Sequence, residues 1–213
     1  MKKEQKFIQV NLSFGQWIFN FIALQFIAFF YILKGAIIFG LFPTISSLMH
    51  IFYKWIVHQE YDLSIPKEFK TFYHGSFWES NKLGWFLTFI GSVLWIDLYI
   101  SYHFIQSMII HSLLLILFLL FLILSAYLFP VYARFSFRKI RDYLKQAFFI
   151  SLSSFIQSTA IIVAVIVMSY IFYSIPFIVL FFSIPIFWGS VAWFAFQGIL
   201  RAEKMKLDQS TSH

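Results

Sequence analysis

The chain has 213 residues, of which 61% are hydrophobic and 12% charged; soluble domains carry about 25% charged residues, so this composition indicates an integral membrane protein. There is no cysteine, which excludes disulfides, thiolate nucleophiles and cysteine-ligated metal sites. The net charge of +7 is expected to set topology and to attract anionic lipid headgroups in the bilayer, with no nucleic-acid partner.

Taken in chain order, the apolar segments predict six helices. The first follows a basic N-terminus and is too long for a signal peptide, so a retained span is expected. The second is interrupted by Gly40-Leu-Phe-Pro43, which predicts either a kinked span or a re-entrant hairpin. The uncharged stretch 146–200 is about twice the length of one span and is expected to turn just before Pro176. The predicted helices cover residues 16–34, 35–57, 83–103, 107–130, 147–173 and 176–199.

Charge favours six spans over five. With six, every Lys and Arg except Lys34 lies on one side of the membrane, and the positive-inside rule makes that side cytoplasmic. The expected fold is therefore an all-α polytopic transmembrane helix bundle in the cell membrane. Residues 1–200 form its single transmembrane domain, and both termini are cytoplasmic. Residues 201–213 are expected to form a short, polar, disordered tail.

Two linkers are predicted to be amphipathic helices at the membrane interface. From Pro66 onward, four aromatic side chains share one helical face, and these are Phe69, Phe72, Tyr73 and Phe77. In 134–148, four basic residues recur at helical spacing opposite an apolar face. They are expected to lie at the headgroup level on anionic lipid. The basic residues are Arg134, Arg138, Arg141 and Lys145.

Within the predicted spans, Asp97 is the single acidic residue, and Lys34 stands at a span boundary. Intramembrane charge is expensive and usually faces protein or a water-filled cavity. Three interpretations of Asp97 stay open: a structural ion pair with Lys34, a transport or binding site, or snorkelling to the outer interface. The broken helix at Gly40 and Pro43 is likewise a candidate structural or transport-related feature.

Other polar residues permit chemistry but have simpler explanations. Ser151, Ser154 and Ser158 form a stripe that lines a pore or, more simply, allows close helix packing. His103 and His111 flank a short outer turn without the spacing of a metal motif. The acidic residues between 60 and 79 alternate with Lys and are interpreted as solvated surface. Since no catalytic motif is found, we expect no enzymatic activity, no cofactor and no metal.

Several short sequence segments are more informative about family than the overall composition is. They are Phe39-Gly-Leu-Phe-Pro-Thr44, Lys54-Trp55, Phe69-Lys-Thr-Phe72 and, later, Ala133-Arg-Phe135. These segments resemble the YesL-like family of bacterial integral membrane proteins of unknown function, most densely over residues 35–85. Members of that family are typical of Gram-positive bacteria and often stand beside carbohydrate-uptake and glycoside-hydrolase genes. The family has no established catalytic residues to carry over.

The resemblance implies a non-enzymatic membrane protein associated with carbohydrate utilisation, accessory or regulatory to a sugar ABC transporter. The alternative is a small-solute transporter or channel in its own right. A transporter is expected to show a polar cavity around the broken helix and the serine stripe. An accessory protein is expected to have a filled core and a membrane partner.

Overall fold

A computed structural model describes the backbone of residues 2–211 and the side chains of residues 15–205. Within these ranges the chain is 89% helical and contains no strand, which confirms the all-α fold. The side chains of the N-terminal lysines, which enter the sequence-based topology, lie outside the described residues. The helices are α1 (Lys2–Lys34), α2 (Leu41–Tyr53), α3 (Ile65–Ile100), α4 (Met108–Arg134), α5 (Ile140–Ser153), α6 (Phe155–Ser174) and α7 (Pro176–Thr211). One-turn π-helical segments follow α2 and α3, at Lys54–His58 and Ser101–Ile105.

Five described helices, α1, α3, α4, α6 and α7, are long and apolar enough to cross a membrane, so this is a multi-pass membrane protein. Their outward side chains are apolar because lipid, not water, surrounds them. In α4, for example, Met108 and Ile109 are 84% and 83% exposed. The α2 helix is different, since its 13 residues give a length of only about 20 Å.

The α2 helix occupies the middle of the bundle, packed between α1, α3, α4 and α7. Its residues from Pro43 to Met49 are all buried, and the Ser46 and Ser80 hydroxyls hydrogen-bond to each other at 2.8 Å. Both serines are fully buried, so this bond satisfies polar groups that lipid or water cannot reach. The second predicted helix is therefore not a lipid-facing span, because protein surrounds it, and the alternative of a re-entrant hairpin stays a prediction.

The two predicted interfacial linkers differ from the structure in different ways: the first is part of a longer helix, and the second is a separate helix that begins only at Ile140. The residues around Phe69 and Tyr73 belong to the first half of α3, which runs unbroken from Ile65 through the predicted span. Phe69 and Tyr73 are buried within the protein core, so their apolar face packs on protein and not on the membrane surface. Residues 135–139 are not helical, so Arg134 ends α4 and is separated from α5.

The last two predicted spans also differ from the structure. The fifth is divided at Ser154, whose φ of −114° and ψ of 52° are not helical, into α5 and α6. The predicted disordered tail is wrong for residues 201–211, because α7 continues to Thr211. The α1 and α7 helices pack antiparallel, with Gln25 against Ser183 and Trp17 beside Trp193. The Gly15 end of α1 therefore lies at the same end of the bundle as the Met205 end of α7.

Candidate functional site

The turn between α1 and α2 is the most tightly built part of the chain. Gly35 and Gly40 approach so closely that a Cβ atom on either would overlap backbone of the other or of Ile32. Two side chains of α3 hold the turn: the Tyr73 hydroxyl donates to the Tyr31 carbonyl at 3.1 Å, and Asn81 donates to the Phe39 carbonyl at 2.9 Å.

The backbone of this turn is strained. Ala36 and Ile37 have φ values of 54° and 64°, and a β-branched residue such as Ile37 rarely adopts that left-handed conformation. Such strain persists only where surrounding contacts hold it. Pro43 lies in the first turn of α2, where its missing N–H is not needed. The broken helix predicted at Gly40 and Pro43 is therefore a close backbone contact, and a transport-related role for it stays a prediction.

The predicted pair of Lys34 and Asp97 is wrong. Lys34 lies at the turn held by Asn81, with its ammonium 5.5 Å from the centre of the Tyr31 ring. Asp97 is sixteen residues further along α3 than Asn81, which corresponds to about 24 Å along the helix axis. Among the described residues, no ion pair includes either side chain. A transport or binding role for Asp97, or snorkelling, stays a prediction.

Gln25 shows that a buried amide serves helix packing. Its Nε2 donates to the Leu180 carbonyl and the Ser183 hydroxyl, each at 3.3 Å, and its Oε1 accepts from the Ile184 amide at 2.9 Å. Pro185 interrupts the hydrogen-bond ladder of α7 at this position. The Gln25 amide supplies partners for the backbone there and joins α1 to α7.

Arg134 forms an intramolecular network at the end of α4 and is not the lipid-facing base that was predicted. Its Nε and Nη2 donate to both carboxylate oxygens of Glu203 at 2.8 and 2.6 Å, and Nη1 donates to the Tyr53 hydroxyl at 2.8 Å. This two-point geometry is the strongest form of an arginine–carboxylate pair. It connects α2, α4 and α7 through the segment predicted to be a tail.

Arg138, Arg141 and Lys145 are exposed on and before α5, and contact of these three with lipid headgroups stays a prediction. The opposite side of α5 packs inward through Tyr143, which is 5% exposed and accepts a hydrogen bond from the Phe137 amide at 2.9 Å. Burial raises the pKa of the Tyr143 hydroxyl above its ordinary value. The side chain is therefore a neutral structural group at physiological pH.

A polar cleft of about 800 Å³ lies between α2, α3, α4 and α5. Lys54 pairs with Glu68 at 3.0 Å, and the Tyr132 hydroxyl donates to Glu79 at 3.0 Å. The interpretation of these acids as a solvated surface missed the two contacts. His50 lies outside the five spans; burial and Lys54 lower its pKa, so it is neutral and stacks on a phenyl ring. Because Glu68 and Glu79 already have partners within the protein, their contacts hold the walls of the cleft together.

Two members of the serine stripe, Ser154 and Ser158, are buried where helices pack together. The Ser154 hydroxyl donates to the Gly198 carbonyl at 2.9 Å, and Ser158 is buried against Tyr127. His103 and His111 do border one small cavity beside the α3–α4 turn. In the part of the chain whose side chains are described, no three acidic or histidine side chains converge as a metal site requires.

Three aromatic rings separate two cavities of about 590 and 540 Å³ at the end of the bundle where α1 begins and α7 ends. The Trp17 ring lies 5.3 Å from Trp55 and 5.5 Å from Tyr61, edge-on to both. Gln59, with a φ of 56°, ends the π-helical segment and turns the chain back so that Tyr61 reaches α1. We call these two cavities and the rings between them the aromatic groove.

Polar side chains border the aromatic groove. Trp55 is 3% exposed, and its Nε1 donor has no acceptor among the described residues. Amide side chains lie around the rings, and these are Gln16, Asn20, Gln59 and Gln197. Apolar walls with a few polar groups are typical of small-molecule sites. Composition alone did not reveal this site, because its aromatic residues come from three distant segments.

Comparison with known proteins gives relatives without a described activity. Residues 17–98 match the model of a family described as "Protein of unknown function, DUF624". The chain is 29% identical over 177 residues to "Uncharacterized protein YteU" of Bacillus subtilis (strain 168), covering 82% of this chain and 78% of that protein. It is 25% identical over 177 residues to "Uncharacterized protein YesV" of the same organism, covering 80% and 82%. No solved structure gives a significant match.

Proposed function

We propose that this chain is a non-enzymatic cell-membrane component of carbohydrate utilisation that acts through a membrane partner, such as the membrane subunit of a sugar transporter. The observation that supports an accessory role is the packing of α2. Its buried side chains occupy the middle of the bundle, where a central route for a solute would run. The resemblance to YesL-like proteins of Gram-positive bacteria supports the link to carbohydrate.

A surface suited to a membrane partner lies between the outer halves of α3 and α4. A groove of about 530 Å³ there is bordered by small residues of α3, including Thr88, Gly91 and Ser92, and by large apolar side chains of α3 and α4. In membranes, small residues let a neighbouring helix approach closely. We expect a helix of the partner to occupy this groove.

The orientation that we propose places the start of α1 and the end of α7 in the cytoplasm. Basic residues concentrate at that end of the chain's helices, as the positive-inside rule requires. A single cysteine in place of Lys204 is expected to react with an impermeant maleimide only after cells are permeabilised. Reaction in intact cells would show that this end of α7 faces the outside, and would contradict the proposed orientation.

The alternative function, a transporter in its own right, is tested by uptake of labelled sugars into proteoliposomes that contain only this protein. We expect uptake equal to that of protein-free liposomes, because packed side chains and not a polar route surround α2. Saturable uptake that unlabelled sugar competes away would replace the accessory role by transport. A known sugar facilitator, reconstituted in parallel, verifies that the vesicles are sealed and the assay sensitive.

A further inference from the structure

The aromatic groove contains a hydrogen-bond donor for which the described residues provide no acceptor. Trp55 lines both cavities, and its indole N–H finds no acceptor among the described residues although the side chain is almost completely buried. A buried donor without a partner destabilises the folded protein. Tryptophan N–H groups usually find a partner when buried, and a ligand that offers an acceptor would supply one here.

The charges around the groove decide which ligand class fits. Among the described residues that line the two cavities there is no Lys or Arg, and Asp62 is the only charged side chain. A phosphate or carboxylate ligand would meet the Asp62 charge without a counter-ion, so anions are disfavoured. A quaternary ammonium ion suits aromatic rings, but it has no acceptor to offer the Trp55 donor.

A neutral ring that carries hydroxyl groups satisfies each of these conditions. The rings of Trp17 and Tyr61, which are 40% and 50% exposed, provide apolar surface for the C–H faces of such a ring. Amide side chains donate and accept hydrogen bonds at once, which matches hydroxyl groups. Gln59 and Gln197 are exposed and make no side-chain hydrogen bond within residues 15–205, so both are available. The volumes also lie within the range of about 300–1,000 Å³ for small-molecule sites.

We propose that the aromatic groove binds a neutral sugar, at the end of the bundle where Gly15 of α1 and Met205 of α7 lie. This inference rests on the proposed role in carbohydrate utilisation, and it gives that role a ligand. A sugar bound between α1, the segment after α2, and α7 contacts three parts of the chain at once. Binding there gives the accessory protein a means to respond to sugar.

The test is isothermal titration calorimetry on the full chain in lipid nanodiscs. Preparation must avoid alkyl glycoside detergents, since their headgroups are sugars and would occupy the groove. The titrants are the methyl glycosides of glucose, galactose, mannose and xylose, with tetramethylammonium chloride and sodium phosphate as charged probes. We expect saturable binding of at least one glycoside and none of either charged probe.

Variants locate the site. Trp55→Phe retains an aromatic ring but removes the indole N–H donor, and we expect it to weaken glycoside binding about 5- to 10-fold. Gln59→Ala and Gln197→Ala change exposed residues, do not threaten the fold, and are expected to weaken binding about 3- to 10-fold each. The matched control Trp95→Phe, on the outer half of α3, is expected to bind as the wild type does.

Three results would overturn the sugar site: no heat with any of the four glycosides, binding only of a charged probe, or glycoside affinity that all three groove variants leave unchanged. A failure of the sugar site can be distinguished from a failure of the accessory role. Capture of a transporter subunit through the α3–α4 groove reports on that role without any sugar. A chain that captures the partner but binds no glycoside retains the proposed function and loses only this inference.

Discussion

Gly35→Ala is expected to destabilise the protein by about 3 kcal/mol, through overpacking of backbone against backbone. An added Cβ would overlap the Gly40 backbone and press on the Tyr73 hydroxyl, which anchors the turn to α3. Neither neighbour is a flexible side-chain end that can move away. For a domain of this size, the thermal midpoint in lipid nanodiscs should fall by about 6–12 °C. Gly40→Ala should behave alike, because its Cβ would meet the end of α1.

The matched control is Gly75→Ala in the first half of α3. Nothing lies within 4 Å of a Cβ at that position, so only helix propensity changes. Alanine is favoured over glycine in a helix by about 1 kcal/mol, and the midpoint should stay the same or rise slightly. If Gly35→Ala unfolds at the same temperature as Gly75→Ala, the close contact between the ends of α1 and α2 is not as described.

Breaking the pair of Arg134 and Glu203 is expected to cost about 1.5–3 kcal/mol, the usual range for hydrogen bonds to charged groups. Both side chains are partly buried, with exposed fractions of 20% and 29%. Arg134→Lys retains the charge but cannot donate along two parallel bonds, so it should lose most of the stabilisation. Arg134→Met, Glu203→Met and the double variant form a thermodynamic cycle, measured by thermal or denaturant unfolding in nanodiscs.

The cycle should show a coupling free energy of about 1–3 kcal/mol, because the two residues are in direct contact. Additive losses would show that the contact contributes nothing. Arg201→Met and Lys204→Met are controls in the same turns of α7, since both residues are exposed. Their effects should stay within about 0.5 kcal/mol. A chain that ends after Leu200 also lacks Glu203, so it should be as unstable as Glu203→Met. Removal of a disordered tail would leave the stability unchanged.

Hydropathy was sufficient to predict the fold class. A run of about 20 apolar residues forms a helix in a membrane because the backbone has no other way to satisfy its hydrogen bonds. The turn before Pro176 was also predictable, since proline disfavours helix in the residue before it. Hydropathy could not separate α2 from a span, because a helix buried in protein and one facing lipid are equally apolar.

Charged residues were harder to place than helices. The ion pair of Lys34 and Asp97, one of three interpretations of Asp97, requires their helix ends to lie at equal depth, but α3 continues well beyond the α1–α2 turn. The four bases after residue 133 were assigned to one amphipathic face, yet the non-helical residues 135–139 separate Arg134 from the rest. The partner of Arg134 comes from α7, 69 residues away, and single-sequence patterns carry no signal for such a contact.

The aromatic groove was likewise beyond sequence patterns. Trp17, Trp55 and Trp193 belong to three segments, and a membrane protein with 23% aromatic residues offers many such sets. What distinguishes this set is the left-handed residue Gln59, which returns the chain toward α1. The lack of an acceptor for the Trp55 donor among the described residues is visible only once its surroundings are known.

Capture of the partner tests the central claim most directly. A photoreactive benzoylphenylalanine at Ile96, which lines the α3–α4 groove, should crosslink in native membranes to the membrane subunit of a sugar transporter, identified by mass spectrometry. Ser92→Phe fills the groove and should abolish the crosslink, whereas Ser169→Phe, at an exposed serine of α6, should not. Absence of any such crosslink, or capture that Ser92→Phe leaves unchanged, would contradict action through a partner at this surface.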